Sequence, residues 1–401
     1  MNTENKSGTL STYFKNIAKS FKLKHYANYI GVTAALILFT VLHYTGSLNR
    51  STTTMLLQIG YSIILAVSLN LVVGLLGELS LGHAGFMCVG AYLGTFLSNY
   101  LLQFIPSLPL CLVISMIVGG AAAGLFGLVV GLPALRLKGD YLAIVTLAFG
   151  EIVRNICRNL PFFGGAQGLS SDYYSALLGQ GKRGLPLFIP TFIVVLVMLA
   201  VIQNIVRSKH GRAITAVRDN EIAAKAMGIN VTYYKLFAFV VSAIFAGVAG
   251  VIYGSSVSPV SYSAFSYNYS IEILVMVVLG GMGSISGSII AATLITWINF
   301  VLKSEFSGDM SAVKNLIYAL ILIIMVIYKN APALKSIREK YTLKNLWAKL
   351  LPKKDVSYVH DDRAEWDVIT TKIPMDEVLS VDVVVNESVM EPDKGEKGDS
   401  E

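Results

Sequence analysis

Apolar residues in this chain arrive in long blocks, separated by short polar or glycine-rich breaks. The blocks fall at 31–46, 55–76, 84–104, 110–133, 140–158, 187–206, 236–256, 270–281, 285–302 and 314–329. A helix needs about 20 residues to cross a hydrocarbon core of roughly 30 Å. Most blocks reach that length with their flanks. The block 270–281 does not, because a helix of that length rises only about 18 Å. The pattern predicts an all-α polytopic membrane protein with about ten transmembrane segments, some of them broken.

Two interruptions carry glycine and serine together. One runs from Gly74 to Gly85 and includes Gly77, Glu78, Ser80, Gly82 and His83. The other runs from Gly280 to Gly287 and includes Gly281, Gly283 and Ser284. Irregular backbone at membrane depth survives only where protein buries it or water reaches it. Broken helices present free N–H and C=O groups, which can bind ions and zwitterions. Small residues also serve close helix packing, and that reading stays open for both breaks. The two breaks could also mark corresponding points of a two-fold repeat.

Charge sets the expected orientation. The N-terminal 30 residues carry five lysines against Glu4, with Leu10, Tyr13, Phe14, Ile17 and Phe21 at helical spacing between them. This segment reads as a basic amphipathic helix on an anionic membrane face, or as a basic lead-in that keeps the N-terminus in the cytoplasm. It is not a cleavable signal peptide, since the first apolar block starts too late. Alternation then puts Arg136, Lys138 and the loop 207–235 inside. The basic residues after the last block demand an inside C-terminus as well. Parity works only if 270–302 is two segments joined at Gly280–Ser284, as two short crossings or a re-entrant hairpin.

Composition agrees with the pattern. The chain is 54% hydrophobic and 14% charged, where a soluble domain has about 25% charged residues. That excludes a disordered chain and argues against a soluble enzyme. The net charge of +7 is uneven: residues 352–401 hold 6 Lys+Arg against 14 Asp+Glu. The expected organisation is a basic segment over 1–30, a transmembrane domain over 31–330, a basic juxtamembrane helix over 331–351 and an acidic, disordered cytoplasmic tail over 352–401.

Few ionisable groups lie inside apolar blocks, where each costs on the order of 3 kcal/mol. Glu151 lies about 17 Å along the block that begins near Asp140, and Arg154 shares its helix face. The two form a structural ion pair or the polar lining of a path. His83, between two glycines, is a packed hydrogen-bonded residue or a path residue. Glu78 and Glu272 lie near segment ends, where water can reach them. Cys88, Cys111 and Cys157 read as buried small hydrophobes with no metal spacing. No phosphate loop, His-Glu-x-x-His, Cys-x-x-Cys or Ser/His/Asp arrangement appears, so no catalytic residue, cofactor or metal is expected. Basic loops without aromatic interleaving make nucleic acid a poor partner.

Two loops are long enough to have a job. The outer connection 159–186 holds Pro161–Phe163, then Gly164, Gly165 and Gly168. The inner loop 207–235 predicts one helix over 212–227, ended by Gly228. Too short to span, it suits a protein–protein joint or a helix resting on the membrane surface.

At these residues the sequence resembles the membrane permeases of branched-chain amino acid ABC importers, most closely the LivM-type subunit. The resemblance rests on Gly77–Phe86, on Gly139–Leu147 with Phe149–Ile152, on Gly164–Gly168, on Ala216–Gly228 and on Gly280–Ser284. It covers about residues 55–330. It implies a transport subunit, not an enzyme, in a bacterial plasma membrane. It also implies a second, LivH-type permease, two cytoplasmic ATPase subunits, and an extracytoplasmic protein that delivers leucine, isoleucine, valine or a related amino acid. On that basis Glu78, Ser80, Gly82, His83, Glu151, Arg154, Gly281, Gly283 and Ser284 are substrate-path candidates. Arg218, Asp219, Glu221, Ala223, Ala224 and Gly228 are the expected ATPase-coupling residues, and Phe163, Gly164, Gly165 and Gly168 the expected binding-protein contact. Broadly similar permeases move sugars, urea and amides. A stand-alone secondary transporter using Glu151, Arg154 and His83, or a membrane scaffold, are the competing classes. The inner helix argues against the first and the glycine breaks against the second.

Overall fold

The apolar blocks fold as helices. The computed structural model describes residues 23–45, 49–105, 107–137, 139–179 and 187–305, together with Leu320 and Ile323. The expected N-terminal helix up to residue 22, the last apolar block apart from those two residues, the basic helix and the acidic tail lie outside the described residues.

Twelve α-helices follow one another among the described residues. They are α1 Leu23–Tyr44, α2 Arg50–Asn70, α3 His83–Leu102, α4 Leu108–Ala134, α5 Asp140–Asn159 and α6 Asp172–Gly179. Then come α7 Phe188–Arg207, α8 Lys209–Asp219, α9 Glu221–Ala226, α10 Val231–Ser256, α11 Tyr267–Gly280 and α12 Ile285–Glu305. A π-helical turn, Leu71–Leu76, extends α2. The only strand-like feature among these residues is an antiparallel bridge between Leu169 and Val260.

Among the described residues six segments are long and apolar enough to cross a membrane: Arg50–Leu76, His83–Leu102, Leu108–Ala134, Phe188–Arg207, Val231–Ser256 and Ile285–Lys303. They coincide with six of the apolar blocks. Two further blocks form shorter apolar helices, Asn28–Tyr44 and Tyr267–Gly280. The block 140–158 forms α5, which is long enough but carries Asp140, Glu151, Arg154 and Arg158. Both expected breaks are real: 77–82 separates the π turn from α3, and 281–284 separates α11 from α12.

The core is built on α10, which packs along α3 and α4. Glycine makes that approach possible. A Cβ on Gly90 would run into the backbone of Gly247, and one on Gly250 into the carbonyl of Met87. Lipid tails are as apolar as leucine, so helices in a bilayer gain by close van der Waals contact and not by excluding water. The α2–π segment is the most enclosed of the six, with 94% of its apolar window buried.

The inner loop departs from expectation. One helix over 212–227 is two, because the Asn220 side chain accepts from the N–H groups of Ile222 and Ala223, both at 3.0 Å. Asparagine competes for backbone donors in this way and restarts a helix at its own position. Gly228 ends the second helix in the left-handed region, φ 80°, as a C-terminal glycine should.

Replacing Gly90 by Leu should lower the thermal unfolding midpoint in detergent, since overpacking of this kind costs about 1–3 kcal/mol. Gly31→Ala, where the added methyl meets nothing within 4 Å, should leave the midpoint unchanged or raise it slightly. Equal midpoints for the two variants would refute the role given to the glycine contact.

Candidate functional site

Each broken helix leaves backbone groups without an intrahelical partner. Side chains from other helices take them up. After the π turn the chain reverses at Gly77, φ 81°. Beyond it, the N–H of Leu81 donates to Thr146 Oγ1 of α5 at 3.1 Å, and the N–H of Ala84 donates to Ser270 Oγ of α11 at 3.0 Å. On the other side of the break, Arg218 of α8 donates to the carbonyl of Gly74 at 3.2 Å. The second break is tied to the first. The N–H of Gly283 donates to Asn70 Oδ1 at 2.8 Å, and a Cβ on Gly74 would collide with both groups. The two glycine interruptions, 200 residues apart in the chain, thus meet in space.

The N-terminus of α11 is closed by a carboxylate. The N–H of Tyr267 donates to Glu151 Oε1 at 3.0 Å. The other oxygen, Oε2, pairs with Arg154 at 2.6 Å. The expected i,i+3 ion pair is therefore present, and its carboxylate also caps the exposed start of α11. Both side chains keep about a quarter of their surface open, 24% and 25%. A groove of about 480 Å³ runs along this face of α5, lined by Glu151, Ile152, Asn155, Ile156, Asn159 and Leu160.

His83 is buried, with Nε2 2.9 Å from Ser68 Oγ, so it is the packed, hydrogen-bonded histidine that the sequence allows. Ser80 is buried beside it in the break, and Gly82 lies against the backbone of Thr146. Gly281, Gly283 and Ser284 form the second break, where Ser284 Oγ accepts from the N–H of Gly287 at 3.2 Å. Two carboxylates correct the expectation of simple exposure to water. Glu78 is paired with Lys235 at 2.5 Å and is only 14% exposed. Glu272 accepts from Asn299 Nδ2 at 3.0 Å.

The inner loop gathers most of the other candidates. Arg218 pairs with Asp219 at 2.8 Å, and Glu221 with Lys225 at 3.2 Å and with Lys235 at 3.3 Å. Ala224 is buried and Ala223 exposed. Ile222 on α9 is 79% exposed, and Met227, just past its C-terminal end, is 82% exposed. Large apolar side chains standing free on a polar loop mark a surface that meets something else.

The outer loop is shaped by its glycines, with positive φ at Gly164, Gly165 and Gly168. Phe163 points inward, its ring 5.2 Å from that of Tyr92, so it anchors the loop. Phe162 is the ring left outside, at 55% exposure. Sequence reasoning passes over Asn70, Thr146, Ser270 and Lys235 as site residues. The one signal they share is a polar side chain inside or at the edge of an apolar run.

The comparisons fit this geometry. A family model described as the branched-chain amino acid transport system permease component matches residues 51–327. The high-affinity branched-chain amino acid transport system permease protein LivM of Salmonella typhimurium is 36% identical over 330 residues, covering 76% of this chain and 73% of the relative. The protein of the same name from Escherichia coli is 34% identical over the same shares. A ribose import permease protein, RbsC of Haemophilus influenzae, is 27% identical over 68% of this chain and 83% of its own length. No solved structure matches. The chain belongs to the family of branched-chain amino acid transport system permease components.

Proposed function

We propose that this chain is the LivM-type permease of an ATP-driven importer in the bacterial plasma membrane. With a second, LivH-type permease it forms the path for leucine, isoleucine, valine or a close relative. An extracytoplasmic binding protein delivers the solute, and two cytoplasmic ATPase subunits supply the energy. The chain itself hydrolyses nothing. In this reading about ten segments cross or enter the membrane, and both termini are cytoplasmic. The basic residues Arg207, Lys209, Arg212, Arg218 and Lys225 lie in or beside one loop, which supports a cytoplasmic side for it.

The observation that carries the reading is the exposed pair of Ile222 on α9 and Met227 at its C-terminal end. Anchors of this kind fit a pocket in a partner, and a solo transporter has no use for them. Ala223, Ala224 and Gly228 keep the segment slim enough for close approach, while Arg218, Asp219 and Glu221 supply its polar contacts. The outer loop around Gly164, Gly165 and Gly168, with Phe162 exposed on it and Phe163 anchoring it from within, is the surface assigned to the binding protein. The path runs along the α5 groove, whose volume is of the size that holds small ligands. Glu151 and Arg154 offer opposite charges there, which suits a zwitterion.

The ribose import permease among the relatives supports a second reading, the same machine carrying a sugar. Reconstitution of the chain with its partner subunits in liposomes decides between them. ATP-dependent uptake of labelled leucine is expected. Uptake of ribose alone would give the second reading, and uptake indifferent to ATP would sink both.

The double change Ile222→Glu/Met227→Glu should leave the protein inserted but cut ATPase association about ten-fold or more, as losing anchors worth roughly 1–2 kcal/mol would. Co-purification of the ATPase with the variant measures this; unchanged recovery would refute the docking role. Glu151→Gln keeps an acceptor for the N–H of Tyr267 but removes the charge facing Arg154. Leucine uptake should fall about ten-fold, corresponding to about 1.4 kcal/mol, with the thermal midpoint nearly unmoved. A variant that is less stable yet fully active would return Glu151 to a structural role.

A further inference from the structure

Lys235 stands in the first turn of α10 with only 6% of its side chain exposed. Its ammonium reaches two carboxylates on two other elements. Glu78 Oε1, in the break after the π turn, is 2.5 Å away. Glu221 Oε2, on the first residue of α9, is 3.3 Å away. Glu221 also holds Lys225 of its own helix at 3.2 Å. A second tie runs parallel: Arg218 of α8 donates to the carbonyl of Gly74 in the π turn. The inner loop is thus fastened twice to the same broken helix.

A buried ion pair is a poor way to gain stability, since desolvation offsets much of its attraction and apolar residues of similar size often pack as well or better. Its special property is geometric. A buried charge that loses its partner is heavily penalised, so the two elements that carry the charges must move together or not at all. An apolar contact between the same elements could slide.

We infer that Lys235 is a positioning residue for energy coupling: it clamps α9 to the Glu78 break, so that a displacement of the inner loop is passed to the broken end ahead of α3. The inference rests on the importer reading above. The chain of contact is short. Ile222 on α9 and Met227 at its C-terminal end stand exposed, and the first residue of α9 grips Lys235. Lys235 grips Glu78, and four to six residues later Gly82, His83 and Ala84 open α3 beside Thr146 and Ser270. A push on α9 reaches the interrupted backbone through two ion pairs, Glu221–Lys235 and Lys235–Glu78.

The test uses the whole importer in liposomes and reads ATP hydrolysed per amino acid imported. Glu78→Gln/Lys235→Met removes both charges, so no unpaired charge is left buried and the protein should fold and assemble. Its hydrolysis should continue while import lags, raising the ratio roughly five-fold or more, the low end of a typical coupling free energy. Glu221→Gln keeps the Lys235–Glu78 pair and should raise the ratio less. Lys235→Arg keeps the charge and should restore most of the coupling. A wild-type ratio in the double variant would overturn the clamp, as would hydrolysis and import falling together in an assembled complex. Should the double variant not assemble, Glu221→Gln decides by itself: an unchanged ratio there overturns the clamp. A wild-type complex that imports nothing on ATP would instead sink the importer reading, and the clamp with it.

Discussion

A helix that stops inside an apolar medium must find partners for the backbone groups it leaves open. That constraint organises the structure more than any other. Among the described residues two such stops occur, at 77–82 and at 281–284, and a carboxylate also closes the helix that starts at Tyr267. Water cannot be assumed at these depths, so other helices supply the partners. Asn70, Thr146, Ser270, Glu151 and Arg218 each reach across to a main-chain group of a different element. Every one of these contacts fixes two elements at once. The polar residues of an otherwise apolar protein are therefore gathered where the helices break.

The rest of the bundle obeys the opposite rule. Between α3 and α10 main chain meets main chain at Gly90, Gly247 and Gly250, and on α4 the glycines Gly120, Gly124 and Gly127 admit side chains of α10. Close-packed backbone of this kind has little room to rearrange. Broken ends held by single hydrogen bonds can change partners for about 1 kcal/mol each. A rigid glycine-packed body beside two adaptable breaks is a sensible division for a protein that must open and close a path. The inner loop is tied to both parts: Glu221 holds Lys235 at the base of α10, while Lys235 and Arg218 reach Glu78 and Gly74 at the break. Of the two, the break is the part that can yield to a displacement of α9.

The breaks are legible in the sequence, because Gly74–Gly85 and Gly280–Gly287 interrupt apolar runs that would otherwise be continuous. The Glu151–Arg154 pair is legible for the same local reason, three residues on one helix. What closes the breaks is not. Asn70 and Gly283 are 213 positions apart, and Ala84 and Ser270 are 186 apart. No periodicity joins such residues. Lys235 reads from sequence as one more cytoplasmic lysine, and Glu78 as a carboxylate near water. Only the fold brings them together, across 157 positions. The split of the inner helix at Asn220 has a local cause, yet a favourable alanine-rich run masks it. Phe163 reads as a surface ring because it sits among loop residues, while the structure turns it toward Tyr92.

The outward face of α5 carries the argument beyond this one chain. Exposed residues on the other long helices are mostly apolar, such as Ile117, Val118, Leu125 and Val129 on α4 or Ile193 and Val197 on α7. Those faces are at home in lipid. The open side of α5 is mixed: Ile144, Ile152 and Ile156 stand exposed on it, but so does a polar stripe of Asn155, Arg158 and Asn159, next to the partly open Glu151 and Arg154. Hydrocarbon does not solvate such a stripe, and each charge left facing it would cost on the order of 3 kcal/mol. The stripe must therefore meet water, protein or both. A path shared with a second permease provides both, with a partner wall opposite and solvent between. In the proposed arrangement the polar stripe faces the second permease, and the charge that looked costly in a single helix lines the path between the two.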